Sequence, residues 1–117
     1  MINYNLNLPF VEHWKRVLTP FRKMVREFPA LAKREAGHQL DRVQHGLDPT
    51  DWKPMKSVGQ GVREIRIQYE GQFRLIYVAS FEEKVYVLHA FQKKTQKTSK
   101  QDLDAAKRAL KKVLERQ

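Results

Sequence analysis

The chain has 117 residues and contains no cysteine. This absence excludes a disulfide framework, a thiolate metal site and a cysteine nucleophile. It fits the reducing cytoplasm, where we expect the protein to work. No run of about 18 apolar residues occurs, and MINYNLNLPF at the N-terminus lacks the basic and apolar segments of a signal peptide. We therefore expect neither a membrane span nor a secretory leader.

Acidic side chains are scarce as well. The chain has 23 Lys and Arg against 13 Asp and Glu, which gives a formal net charge of +10. Residues 52–100 hold most of the excess, with ten basic and four acidic side chains. A basic patch attracts polyanions, and nucleic acid is the first candidate. The alternative is a generally basic protein without such a partner.

Common motifs of metal and nucleotide enzymes are missing too. The acidic residues are dispersed without an HExxH motif, and the spacing of the four histidines does not suggest metal ligands. No glycine-rich phosphate loop occurs, and the short GQG at 59–61 indicates a turn. We therefore predict no metal and no cofactor. The histidines are His13, His38, His45 and His89.

The N-terminal half predicts two helices within a single domain spanning residues 1–117. Thr19-Pro20 is typical of a helix start, and Phe21, Val25 and Phe28 then fall on one face. After Pro29 a second helix is expected, so the two would form a pair. Its apolar stripe contains Ala32, Ala36, Leu40, Val43 and Leu47. One end of the core would be closed by Phe10, Trp14, Val17 and Leu18.

The second half predicts an antiparallel meander followed by a helix. Residues 48–61 are rich in turn formers and indicate a loop. Strands are expected at 62–69, 73–79 and 85–91, joined by short links. Ser99 and Asp102 have capping-box spacing at the start of a last helix. The stripe of that helix contains Leu103, Ala106, Leu110, Val113 and Leu114. The fold class is therefore α+β, with helices packed on a three- to four-stranded antiparallel sheet.

Side chains alternate along a strand, so the register of the meander predicts its two faces. The loop lengths place Gln68 opposite Arg74, and Arg74 opposite Phe91. The face expected to pack on helices contains Ile65, Ile67, Tyr69, Phe73, Leu75, Tyr77, Tyr86, Leu88 and Ala90. The other face contains Glu64, Arg66, Gln68, Arg74, Ile76, Val78, Val85, Val87, His89 and Phe91.

The segment VLHAFQKKTQKTS, residues 87–99, ends a strand in lysines without a neighbouring carboxylate. Lys93, Lys94 and Lys97 would extend a basic rim that begins with Arg66 and Arg74 on the polar face. We therefore expect the partner of these charges to lie outside the chain. The hypothesis fails if the two arginines lie on opposite faces, or if both are locked in internal ion pairs.

These residue types can support metal-free cleavage of RNA, in which the ribose 2′-OH is the nucleophile. The reaction needs a base, an acid and cations around the charged transition state. Arg74 would hold a phosphate bidentately, and Arg66 would hold a phosphate or orient the nucleophile. Lys93 or Lys94 would stabilise charge, and His89 would exchange a proton.

Each candidate also has an interpretation that requires no function. Arg66 and Arg74 would then be solvated strand residues, and the lysines an exposed linker. His89 would be a half-buried histidine with its hydrogen bonds satisfied. Trp52 would either stack on a base or pack against the core, and the latter is favoured.

Three segments carry a family resemblance: WKPMKSVGQGVREIRI, GQFRLIYVA and VYVLHAFQKKTQKTS with the closing helix. They resemble the phage-derived HigB-like branch of the RelE/ParE toxin superfamily, from about residue 20 to 115, whereas residues 1–18 match weakly. The resemblance implies an N-terminal helix pair on an antiparallel sheet. It also implies a toxin that cleaves mRNA on the ribosome. Its partner would be a small helix-turn-helix antitoxin.

The resemblance also implies site residues, because toxins of this kind use basic side chains on the central strands and after the last strand. Arg66, Arg74, Lys93 and Lys94 match such positions, and His89 matches less closely. The basic residues predicted to contact RNA are Lys53, Lys56, Arg63, Lys97 and Lys100. RelE-type toxins have a C-terminal tyrosine, which is missing here after Tyr86. Proton transfer is therefore left to His89 or a lysine.

Two other functions remain open. A ParE-like protein would inhibit DNA gyrase without cutting RNA, and its fold would be the same, so fold alone does not separate the two. A degenerate phage protein would only bind nucleic acid or a partner. The nuclease is favoured because a cationic sheet face has a direct role in phosphate chemistry.

Overall fold

The computed structural model describes the backbone of Arg16–Val17 and all of residues 20–79 and 84–116. A five-stranded sheet has the order β1-β5-β4-β3-β2. β1 pairs with β5 in parallel, and each neighbouring pair from β2 to β5 is antiparallel. The class is α+β with a C-terminal helix, as predicted. In chain order the elements are β1 (Arg16–Val17), α1 (Phe21–Met24), α2 (Ala30–Gln44), β2 (Trp52–Pro54), β3 (Val62–Gln68), β4 (Gln72–Ala79), β5 (Lys84–Lys93) and α3 (Lys100–Glu115).

Helices cover both faces of the sheet, and the sheet separates the core into two clusters. On one face α1 and α2 pack against β3 to β5, with Ala32, Ile65 and Leu75 fully buried. On the other face α3 packs through Ala106 and Val113 against Ile76 and the loop before β3. The protein is therefore a helix–sheet–helix sandwich, in which each sheet face meets different helices.

The predicted N-terminal helix pair is reduced to one helical turn followed by a full helix. α1 has only four residues, although Phe21, Val25 and Phe28 are buried as predicted. Proline disfavours helical backbone at the residue before it, so Pro29 ends the helical path and stands as the N-cap of α2. Pro20, expected to follow a Thr19 N-cap as the first helical residue, is itself the N-cap of α1, so this expectation was wrong. Thr19 and the side chains expected to close the core lie outside the described residues.

The stripe of α2 is buried as predicted, except at its end. Ala36, Leu40 and Val43 are buried, whereas Leu47 is 53% exposed. α2 ends at Gln44, and Gly46 has a φ of +82°, which breaks the helical periodicity before Leu47. The expectation that Leu47 joins the core was therefore wrong.

The segment predicted as a loop contains a short strand. Residues 52–54 form β2, which pairs with β3 through Trp52 opposite Ile65 and Pro54 opposite Arg63. Proline is tolerated in an edge strand, but its presence in the sequence argues against a strand, so β2 was not predicted. The glycine turn predicted at 59–61 is present, and Gly61 has a φ of +78°.

The pairing of β3 with β4 differs from the prediction by two residues. Arg74 lies opposite Arg66 instead of Gln68, because Gln72 already belongs to β4 and Glu70 begins a turn with a φ of +53°. A shift of two residues keeps every side chain on its predicted face. Tyr69 lies in the turn and is 40% exposed, so its expected burial was wrong.

A bulge in β5 alters the faces predicted for four residues. Arg74 lies opposite Phe91 as predicted, but further along the pairing of β4 with β5 skips Leu88. One extra residue exchanges the faces of the strand beyond it. Val85 and Val87 consequently pack on the α2 side, while Tyr86 and Leu88 face α3. These four assignments were wrong.

The start of α3 is as predicted. The amide of Asp102 donates a hydrogen bond of 3.1 Å to Oγ of Ser99, which caps the helix. Ala106 and Val113 are buried, but Leu114 near the end of the helix is 61% exposed and does not join the core.

Within residues 20–79 and 84–116, no helix is long and apolar enough to cross a membrane.

Two leucines of the predicted α2 stripe provide a matched test of this packing. Leu40 is 3% exposed, so Leu40→Ala should lower the free energy of unfolding by about 2–5 kcal/mol. Leu47→Ala removes the same atoms from an exposed site and should change it by less than about 0.5 kcal/mol. Urea denaturation of both variants measures the difference. Equal losses would contradict the described end of α2.

Candidate nucleic-acid interface

The face of the sheet that carries α3 has an apolar end and a charged end. α3 packs over the end that carries Val58 and Val62. Toward the turn between β3 and β4, the same face carries basic side chains from four strands, since alternate residues share a face. We call Lys53, Arg66, Arg74 and Lys93 the cationic cluster.

Strand pairing arranges these residues in rows across the sheet. Arg74 is flanked by Arg66 on β3 and by Phe91 on β5. One row toward the apolar end, Ile76 lies between Glu64 and His89, and Glu64 in turn lies opposite Lys53. One row toward the β3–β4 turn, Gln72 lies between Gln68 and Lys93.

Arg66 and Arg74 therefore lie on the same face, directly opposite each other. The hypothesis that their partner lies outside the chain therefore passes its first test, in which arginines on opposite faces would have excluded it. Like charges at opposed positions of neighbouring strands destabilise a sheet. The arrangement must be stabilised by nearby carboxylates or by an external anion.

Glu64 supplies one such carboxylate from within the sheet. Its side chain is fully buried, and its Oε1 lies 3.7 Å from Nζ of Lys53 and 3.7 Å from Nε of Arg74. The hydroxyl of Thr98 donates to its other oxygen at 3.3 Å. A buried carboxylate is stable only when it is paired or hydrogen-bonded, and Glu64 depends on these three contacts.

Arg74 is held from several sides. Its Nη1 donates to the carbonyl oxygen of Phe73 at 2.9 Å and to Oε1 of Gln72 at 3.3 Å. Its Nε is buried without a hydrogen bond, as is Oε1 of Glu64. Burial lowers the pKa of Arg74, and the attraction of Glu64 opposes this effect. Arg74 is only 7% exposed, so little of its side chain is open to a ligand.

Arg66 is more accessible and more loosely paired. Its Nη1 lies 3.8 Å from Oδ1 of Asp51, and 40% of its side chain is exposed. Asp51 is held beside it because its carbonyl oxygen accepts the amide of Arg66 at 2.9 Å. Exposed ion pairs of this kind are worth about 0–1 kcal/mol, so a phosphate can compete for Arg66.

The expectation that the partner charges lie outside the chain was only partly right. Glu64 contacts two members of the cationic cluster, and Asp51 contacts a third. The hypothesis passes its second test only in part, since both arginines form an ion pair with a carboxylate of the chain. The ion-pair distances of 3.7 and 3.8 Å exceed those of close hydrogen bonds. Among the residues that the structure describes, four cations of the cluster face two carboxylates, which leaves an excess of positive charge.

Lys93 is the member contributed by β5. Burial lowers its pKa, and the nearby positive charge of Arg74 lowers it further, while Glu64 acts in the opposite direction. Lys94, Lys97 and Lys100 are exposed. The bond from Thr98 to Glu64 anchors the segment that carries them beside the cationic cluster.

His89 lies on the same face but points toward α3. Its Nε2 is 2.8 Å from Oδ1 of Asp102, and its ring stacks on Phe91 with centroids 5.1 Å apart. Asp102 also accepts a hydrogen bond of 2.7 Å from the hydroxyl of Ser99. When Nε2 donates to Asp102, the lone pair of His89 is on Nδ1.

Two predicted RNA contacts do not join the cationic cluster. Arg63 lies on the α2 side of the sheet, where it covers the ring of Trp52 at 3.9 Å and donates to Asp48 at 2.8 Å. The hydrogen bond with Asp48 is the main cause that raises the pKa of Arg63. Lys56 lies in the turn after β2, at the opposite end of the sheet, beside a groove lined by Trp52 and Arg63. Trp52 is half-buried beneath Arg63 and belongs to neither core cluster, so its expected packing against the core is not confirmed.

The sequence predicted no role at the site for Glu64, Asp51 or Thr98, and for Asp102 it predicted only a place in the cap of the last helix. Glu64 had a signal, because it is two residues from Arg66 and therefore shares its face. Asp51 and Thr98 had none, because strand pairing and loop closure bring them to the site from distant positions. Within the described ranges, no three His, Asp or Glu side chains are placed to hold a metal ion.

A family model matches most of the described chain. The model described as phage-derived protein Gp49-like (DUF891) matches residues 23–111, more than half of the chain, and includes every strand of the cationic cluster. The chain belongs to the Gp49-like family. This family is one of the RelE/HigB-like toxin families. A search of curated proteins found no match.

The pKa of Lys93 tests the geometry of the cationic cluster. Arg74→Ala removes a positive charge that lowers the pKa of Lys93, so that pKa should rise toward the ordinary lysine value. NMR titration of the labelled lysine side chain measures the change. Arg63→Ala removes an equal charge from the other face and should leave Lys93 unaffected. Equal shifts in both variants would contradict the described arrangement.

Proposed function

We propose that this Gp49-like protein is the toxin of a type II toxin–antitoxin pair, and that it cleaves mRNA on the ribosome without a metal ion. Membership of a RelE/HigB-like toxin family supports this proposal. The observation that carries it is the position of Arg66, Arg74 and Lys93 on one sheet face. Three cations from three strands suit a phosphate with several charged oxygens.

The chemistry follows from the substrate. The ribose 2′-oxygen attacks the adjacent phosphorus and loses its proton to a base. The resulting pentavalent phosphorane carries extra negative charge on its equatorial oxygens. Arg74 stabilises that charge from a position that is fixed before the reaction begins, and the more accessible Arg66 adds a second positive charge. The 5′-oxygen then leaves and takes up a proton, which yields a 2′,3′-cyclic phosphate and a 5′-hydroxyl end.

Two groups suit the proton transfers. His89 is oriented by Asp102, an arrangement that fixes the tautomer of a general base. Lys93 lies within the cationic cluster, and its lowered pKa makes proton release easier than for an ordinary lysine. His89→Gln and Lys93→Met separate the two roles. If His89 or Lys93 transfers a proton in the reaction, the variant that lacks that side chain should show a changed pH dependence of cleavage. A variant that lacks a group with no part in proton transfer should keep the pH dependence of the wild type.

The proposed partners follow from the same charge and from the family. RNA of the ribosome and the mRNA would meet Lys53 and the segment with Lys94, Lys97 and Lys100. A small helix-turn-helix antitoxin would neutralise the toxin in the cell. We propose these partners because a cationic cluster opposed by only two carboxylates is balanced by an external polyanion.

Arg74→Ala should lower the rate of mRNA cleavage by about 100-fold or more, as expected when a fixed group that stabilises developing charge is removed. Cleavage is measured on programmed ribosomes by mapping the 5′ ends. Arg63→Ala is the matched control, because it removes the same charge from the other sheet face. Its cleavage should match that of the wild type. A fully active Arg74→Ala variant would eliminate the proposed phosphate contact.

Expression without an antitoxin should stop protein synthesis before DNA synthesis. Pulse labelling with amino acid and thymidine distinguishes the two. Early loss of DNA synthesis with continuing translation would instead favour a gyrase inhibitor. Arrest of neither process would favour a protein that only binds nucleic acid.

Binding should also depend on salt. The logarithm of the affinity for single-stranded RNA should fall with the logarithm of salt concentration, and each phosphate contact contributes roughly 0.7 to the slope. Lys93→Ala should reduce the slope by about one such contact. Filter binding across a salt series measures it. An affinity that is independent of salt would contradict an electrostatic interface.

A further inference from the structure

Glu64 is a buried carboxylate for which the proposed reaction has no step. It is fully buried in the middle of β3, a position where a charged side chain is normally disfavoured. Lys53 on its own row, Arg74 on the next row and Thr98 in the loop before α3 contact it. A residue that is costly to bury and is surrounded by site residues calls for a functional explanation.

The contacts of Glu64 reach three different parts of the interface. Lys53 belongs to the edge strand β2, Arg74 to the central strand β4, and Thr98 to the segment after β5. Among the described residues, no other carboxylate contacts all three of these parts. One side chain therefore fixes the relative positions of the edge, the centre and the lysine-bearing segment.

We infer that Glu64 is a positioning residue, which orients Arg74 for contact with an RNA phosphate and holds Lys53 and the Thr98 segment around it. Its charge offsets the repulsion between the directly opposed Arg66 and Arg74. Its burial keeps it from reaching the phosphate itself. The carboxylate thereby orders the cations without exposing a negative charge to an anionic ligand.

Glu64→Gln separates this role from simple structural support. The variant keeps the volume and an oxygen for Thr98, but it leaves the cationic cluster one charge more positive. RNA affinity should therefore be equal to or higher than that of the wild type. The single-turnover cleavage rate should fall at least tenfold, because Arg74 is no longer oriented. A structural role alone would instead lower affinity and rate together, in step with the melting temperature.

Asp48→Asn is the matched control. It changes the net charge by the same amount, but Asp48 pairs with Arg63 on the α2 side. Its cleavage rate should equal that of the wild type. Glu64→Asp keeps the charge and should recover part of the activity lost in Glu64→Gln. A wild-type rate in Glu64→Gln, or equal losses in Glu64→Gln and Asp48→Asn, would overturn the inference.

A second variant covers the case in which Glu64→Gln does not fold. Thr98→Val removes only the hydrogen bond at the surface side of Glu64, so the melting temperature should change little. Cleavage should slow, and the salt dependence of RNA binding should become shallower as the lysine segment moves away. Unchanged cleavage and salt dependence in folded Thr98→Val would contradict the inference.

The activity test rests on the proposed function, so an independent readout is needed. The Nε–H signal of Arg74 in an NMR spectrum reports the orientation of its guanidinium. In the wild type this buried proton should exchange slowly with water, and in Glu64→Gln it should exchange faster. If the wild type does not cleave mRNA, the proposed function fails, while this exchange rate still decides the role of Glu64. Equal exchange in both proteins would exclude positioning of Arg74.

Discussion

The structure depends on one electrostatic arrangement, the fully buried carboxylate of Glu64 among the cations of a sheet face. Two arginines directly opposed on neighbouring strands would by themselves destabilise the sheet. Glu64 and the loosely paired Asp51 reduce that repulsion without cancelling it. The result is a folded protein that keeps positive charge at a fixed place, which is the property required of a phosphate-binding surface.

The two faces of the sheet divide stability and function between them. The face toward α1 and α2 is apolar almost throughout, and it anchors the strands. The other face is apolar only where α3 covers it, and beyond the helix it carries the cationic cluster. Because β3 and β4 are central strands, their backbones are held on both sides. The side chains they present are therefore more precisely placed than side chains on a loop would be.

Much of this arrangement could be predicted from the sequence, because alternation along strands is robust. The shared face of Arg66 and Arg74 survived an error in register, since that error was two residues. The bulge at Leu88 was not predictable, because one extra residue in β5 leaves no mark in composition. The contacts of Asp51 and Thr98 were missed for another reason, as they depend on how loops close in three dimensions. The end of α1 at Met24 was not predicted, because Pro29 directly restricts only Phe28 and the apolar spacing continues past Met24.

The short edge strand β2 has a consequence for the behaviour of the protein before it meets a partner. An open sheet edge invites another polypeptide to add a strand, which leads to self-association and insoluble fibres. Here that edge is three residues long, and it includes a proline that lacks an amide hydrogen and a lysine that carries charge. These are features by which natural sheets discourage such growth. The residues that obscured β2 in the sequence thus also disfavour the addition of a strand at this edge of the folded sheet.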